Sequence, residues 1–197
     1  MNATFYPLLA SKLLNHCKYF LNIMNAMESE ELVELGFNEF VSNSDRVIQY
    51  LSKEVNLVGG EAPKWFKDKE INLPFRELFR ILRNIASHHY IIPLTPIFKI
   101  PNGKVKPKNI QLDEMHLDLQ MLPSDEHFDK KKDKFINELG QTIDAVKLST
   151  DYLEHLIIIV RDGELLYGND KHFRRQKVKS SIRINPDLTL QFFERKF

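Results

Sequence analysis

The chain has 197 residues, of which 43% are hydrophobic and 14 are Phe, so it is long enough to bury a real core, and its length favours one domain. Its net charge of +1 gives no overall acidic or basic bias, and its longest apolar run, Leu156 to Val160, falls far short of the roughly eighteen residues a membrane span needs. Cys17 is the sole cysteine, which excludes an internal disulfide or a cysteine-built zinc site within one chain and fits a reducing, cytoplasmic location.

At the N-terminus no basic residue precedes the apolar run and no small-residue cleavage site follows it, so a signal peptide is not expected; Leu8, Leu9, Leu13 and Leu14 share one helical face. From Leu32 the apolar positions Leu35, Phe40, Val41, Val47, Ile48, Leu51 and Val55 keep mostly three-and-four spacing, with Ser44 bridging the gap. That spacing predicts a helix, with Glu30, Glu31 and Glu34 complementing its N-terminal dipole and Gly59-Gly60 ending it. Pro63 marks a connection. Pro74 suits the first turn of a second helix, which Phe75, Leu78, Phe79, Leu82, Ile85, Ala86 and His89 continue until Pro93 stops it.

Between Pro93 and Pro123 the period changes. Phe98-Lys99-Ile100, Ile110-Gln111-Leu112 and Leu117 to Met121 alternate as strands do, and Asn102-Gly103 is a hairpin-turn signal, so a small β insertion is expected at about 95–122. A third helix is expected from about Phe128 to Arg161, on the spacing of Phe135, Leu139, Ile143, Val146, Thr150, Leu153, Ile157 and Val160; it would be about 50 Å long. Beyond Gly168-Asn169, two alternating segments flank an Asn185-Pro186-Asp187 turn. Residues 171–197 hold eight Lys or Arg against two Asp or Glu, a net of +6 that leaves −5 on the first 170. This basic stretch suits phosphates or is simply a solvated surface. The division read from the sequence is a helical domain with its insertion over 1–170 and a basic, β-like appendage over 171–197.

The segment with chemical content closes the second helix: Arg83-Asn84-Ile85-Ala86-Ser87-His88-His89-Tyr90. An arginine followed by Asn84, then a histidine after four intervening residues and a tyrosine two further on, in helical surroundings, resembles the HEPN family, the higher-eukaryote and prokaryote nucleotide-binding domain. The resemblance, carried by residues 75–93, implies a mainly α, up-and-down helical bundle, frequently a homodimer, and in many members a metal-independent ribonuclease of toxin–antitoxin or antiviral systems. It implies Arg83 and His88 as the catalytic pair, Asn84 as the polar residue beside the arginine, and Tyr90 as the tyrosine that a partner antitoxin nucleotidylates in toxin members.

The side chains suit such chemistry. A neutral imidazole at His88 can take a ribose 2′-hydroxyl proton and later return a proton to the leaving 5′-oxygen. Arg83 can hold the phosphate and stabilise charge developing on its oxygens, giving a 2′,3′-cyclic phosphate without a metal or other cofactor. Arg76 and Arg80 extend a basic stripe toward RNA or are solvent-facing helix residues. On a straight helix Arg83 and His88 lie about 140° apart, so a complete site requires a distorted helix end or a second copy across a two-fold axis. The competing reading makes Arg83 a solvent-facing residue, lets His88 and His89 favour the helix C-terminus through its dipole and packs Tyr90 in the core, leaving a catalytically inactive module that binds a nucleotide, RNA or a protein. His16, His116, His127, His155 and His172 lack ligand spacing, and no metal is expected.

Overall fold

The computed structural model describes residues 9–89, 91–99 and 111–167; the Asn102-Gly103 turn, Tyr90, the side chain of His89 and the whole basic appendage lie outside the described residues. The chain is mainly helical with a small antiparallel sheet: α1 (Leu9–Ala26), α2 (Glu30–Val58), α3 (Ala62–Ile71), α4 (Arg76–His89), β1 (Thr95–Lys99), β2 (Gln111–Asp118), α5 (Glu126–Asp129), α6 (Lys132–Leu139), β3 (Thr142–Asp144) and α7 (Ala145–Tyr167). Among the described residues no helix is long and apolar enough to cross a membrane.

The long helix α2 organises the core. Ser29 caps it by accepting from the Leu32 amide, Glu30 and Glu31 sit in its first turn, and Gly59 closes it with a φ of +74° that a side chain would strain. Val33, Phe37, Phe40, Val41, Val47, Ile48, Leu51 and Val55 are all buried along it, and α1, α4 and α7 pack around it. α1 contributes Ala10, Leu14, Cys17, Leu21 and Met24 to the interface, where burial pushes the Cys17 thiol up to about 12 and keeps it an inert hydrophobe. The carboxylate of Glu54, buried in α2, receives the Leu9 and Ala10 amides at 2.6 and 3.2 Å, satisfying two of the orphan donors at the start of α1.

The helix expected from Phe128 to Arg161 is not continuous. It is divided into α5, α6, β3 and α7, and the divisions have local causes. Gly140 ends α6 with a φ of +89°, a conformation open to glycine and strained for other residues. Asp144 then starts α7 by accepting from the amides of Val146 and Lys147 at 2.8 and 3.0 Å. The apolar spacing runs through the break because Leu139, Ile143 and Val146 all pack against one core, from a helix, a strand and a helix in turn. α3, which begins with Pro63 in its first turn and buries only Ala62 and Phe66, stands where only a connection was expected.

The sheet has the order β1-β2-β3, antiparallel throughout, with a bulge between Ile97 and Phe98. The segment Leu117 to Met121, expected as a separate strand, is instead the end of β2 followed by a turn, and the third strand comes from Thr142–Asp144. Met115 and Leu117 turn inward from β2.

Candidate functional site

α4 carries the Arg83 to His88 segment, and two contacts with α2 fix the chain leaving it. The Asn38 carboxamide accepts from the Ile92 amide at 2.8 Å, and Glu34 accepts from the Leu94 amide at 3.0 Å. Ile92 and Leu94 are buried with Pro93 between them, and the chain is no longer helical from Ile91 to Leu94. Leu78, Phe79, Ile81, Leu82 and Ile85 face the core. At about 100° per residue, the opposite arc runs from Arg83 through Ser87, Arg80 and Asn84 to His88, a span of about 140°. Arg80, Ser87 and His88 are exposed and Asn84 is half-buried. The chain is helical through His89, so Arg83 and His88 of one chain keep the separation of about 140° that a straight helix gives them.

Arg83 is not a free surface arginine. Its Nε donates to Oδ2 of Asp45 on α2 at 3.0 Å, while its side chain keeps 36% exposure. Asp45 itself is only 2% exposed and accepts three side chains: Arg83, Arg76 Nη1 at 2.8 Å and Gln49 Nε2 at 2.6 Å. A buried carboxylate is tolerated only when paired and hydrogen-bonded in this way. Arg76 also donates from Nε to Glu70 at 2.9 Å and retains 14% exposure, so its fork is committed and it belongs to the packing of α4 on α2 rather than to an open basic stripe. Burial works against its charge, but the Tyr152 hydroxyl, Asp45 and Glu70 outweigh it, holding the guanidinium above its ordinary pKa. Arg83 bonds through Nε alone; among the described residues its terminal nitrogens make no hydrogen bond. The carboxylate therefore orients the guanidinium and leaves the outer pair of donors for an anion.

Tyr152 of α7 lies fully buried beside this network, its ring stacked on Phe79 at 4.0 Å. Among the described residues its hydroxyl makes no hydrogen bond of standard geometry, although the Arg76 guanidinium is near enough to oppose the effect of burial; burial wins and raises its pKa well above that of an ordinary phenol, so it stays protonated. Because an unsatisfied buried hydroxyl costs stability, Tyr152→Phe is expected to leave the fold unchanged or to stabilise it by about 1 kcal/mol in urea denaturation; a loss of 2 kcal/mol or more would show that the hydroxyl has a partner.

The sequence reading missed Asp45. The signal was present: Asp45 lies four residues after Val41 and three before Ile48, so it is a charge set on the apolar stripe of α2, where it requires a cation from a neighbouring helix. Beside the start of α4, a groove of about 620 Å³ opens between the α3–α4 corner and α6. Leu73, Leu78 and Phe135 form its apolar floor, with Arg80, Lys134 and Glu138 among the charged residues lining it. At its edge Lys131 is hydrogen-bonded to Glu77, which holds that carboxyl below its usual range. Among the described residues no cluster of His, Cys, Asp and Glu has the makings of a metal site.

Comparison with family models, with curated proteins and with solved structures finds no match to this chain.

Proposed function

We propose that this chain is a HEPN-like helical domain acting as a metal-independent endoribonuclease, with Arg83 and His88 as its catalytic pair drawn from two protomers of a homodimer. The observation that carries the reading is the Arg83–Asp45 pair: a buried carboxylate aims the guanidinium through Nε, its outer donors make no hydrogen bond among the described residues, and the side chain stays 36% exposed. Such preorganised positive charge stabilises a phosphate as negative charge builds on its oxygens. His88, exposed at the helix end, supplies an imidazole on this arc, a side chain that can take a proton at one nitrogen and give one up.

In the reaction His88 removes the 2′-hydroxyl proton, O2′ bonds to phosphorus, the bond from phosphorus to O5′ breaks, and O5′ leaves with a proton from the imidazolium. The products are a 2′,3′-cyclic phosphate and a 5′-hydroxyl. Asn84, half-buried on the same arc, is assigned in this proposal as a further hydrogen-bonding group for the substrate. A role as a toxin or antiviral component, with an antitoxin or nucleotidyltransferase partner acting on Tyr90, belongs to the same proposal.

One observation favours a second reading, a catalytically inactive nucleotide-, RNA- or protein-binding module: the regular α4 separates Arg83 and His88 in one chain. Cleavage of labelled RNA in excess chelator decides between them. The wild type is expected to give cyclic-phosphate ends, with losses of about 10²-fold or more for Arg83→Ala and for His88→Ala. No wild-type cleavage across varied RNAs would establish the binding module instead.

A further inference from the structure

We propose that the groove between the α3–α4 corner and α6 is a subsite for one nucleotide of a single-stranded RNA, next to the phosphate held at Arg83. The substrate class rests on the RNA reading above, whereas the site rests on its own geometry. Arg80 lies one turn before Arg83, so their Cβ atoms are about 5–6 Å apart, comparable to the separation of successive phosphates along a strand. Arg80 is exposed and makes no ion pair among the described residues. It is therefore available to a phosphate that continues from Arg83 into the groove.

The groove's charges then resolve. Glu70 is committed to Arg76, and Glu77 to Lys131. Lys134 stands 3.9 Å from Glu77 and 4.0 Å from Glu138, at the limit of pairing, so it can turn toward an added anion. The lining thus sets Arg76, Arg80 and Lys134 against Glu70, Glu77 and Glu138, with Lys131 at the edge; Arg80 acts on Glu77 through its charge but makes no direct ion pair among the described residues, so its donors are open to a phosphate. Half-buried Phe75 supplies aromatic surface for a base, above the apolar floor to which buried Phe135 belongs. Glu138 offers an acceptor for ribose hydroxyls. Phe75 holds a φ of +59°, a costly conformation for a bulky residue, kept by hydrogen bonds from Arg76 to Leu73 and from Phe79 to Phe75 on either side. The strained corner places Phe75 on the groove wall. A volume of about 620 Å³ admits a nucleotide with room for water.

The test is binding of a fluorescein-labelled single-stranded RNA oligomer to the full chain, titrated across salt concentrations, for wild type, Arg80→Ala, Lys134→Ala, the double variant and the remote control Lys64→Ala. Each phosphate contact on a single strand contributes about 0.7 to the slope of log affinity against log salt, equivalent to about fivefold at 0.1 M. The expected result is a slope shallower by about 0.7 for each single variant and about 1.4 for the double, with the control unchanged. A merely structural role would not move the slope. Slopes equal to wild type in both single variants overturn the subsite, as does failure of the wild type to bind RNA. Salt-dependent binding that relies on Arg80 and Lys134 in a protein without cleavage activity leaves the subsite standing and removes the nuclease.

Discussion

Asp45→Ala is expected to lower the unfolding free energy by about 3–5 kcal/mol, the largest effect of any single substitution in the contact between α2 and α4. The carboxylate is 2% exposed and bonds both arginines, so its removal leaves Arg76, itself 14% exposed, with Glu70 as its remaining carboxylate, and also releases Arg83. Arg83→Ala is expected to cost about 1 kcal/mol or less, because Arg83 is 36% exposed and its removal leaves Asp45 still paired with Arg76. For a domain of this size the Asp45 variant corresponds to a fall in Tm of about 6–20 °C. Urea denaturation of Asp45→Ala, Arg76→Ala and Arg83→Ala checks the order. A loss below 1 kcal/mol for Asp45→Ala would mean that the carboxylate carries neither arginine. The comparison also tests the proposed cleavage: on that proposal Arg83→Ala is expected to lower RNA cleavage much further than stability, whereas Asp45→Ala lowers both together.

The parts of this fold that were legible in the sequence are those in which one local rule dominates. α2 has a regular stripe, a serine cap, acidic first-turn residues and a glycine end, all pointing the same way, and the structure extends the expectation to Glu30–Val58. α4 ends before Pro93 as expected, because proline cannot donate, and the alternation at Ile110-Gln111-Leu112 fell at the start of β2, whereas that at Leu117 to Met121 met only its last two residues. The long C-terminal helix misled because hydrophobic spacing reports which residues face the core, not whether the backbone between them is continuous. Gly140 and Asp144, an end signal and a start signal four residues apart, carried the missing information. At the candidate site the sequence picked out Arg83, Asn84 and His88 by type and order, but the partner that orients Arg83 comes from 38 residues earlier in the chain. Such a pairing follows from helix packing and has no local spacing of its own. Arg76 and Arg80 likewise look equivalent in sequence, yet four residues of helix turn one toward Asp45 and leave the other in solvent.

If the catalytic pair is shared across a two-fold axis, mixing two inactive variants should restore activity. Arg83→Ala and His88→Ala each empty one half of every site in their own homodimer. In a mixed dimer, one site receives both substitutions and the other receives neither, since an isologous interface pairs the arginine of one protomer with the histidine of its partner. Random exchange makes half the dimers mixed, and each of these has one intact site of two, so activity should return to about a quarter of wild type from a baseline at least about 10²-fold lower. The measurement is cleavage of labelled RNA after the two purified variants are unfolded together and refolded, with each variant refolded alone as the control. No recovery, with mixed dimers demonstrated by differential tagging, would place Arg83 and His88 of the same chain in one site. The regular geometry of α4 argues against that outcome: bringing side chains about 140° apart onto one phosphate would require the last turn of the helix to unwind, and the Asn38 and Glu34 bonds to Ile92 and Leu94 hold that end in place.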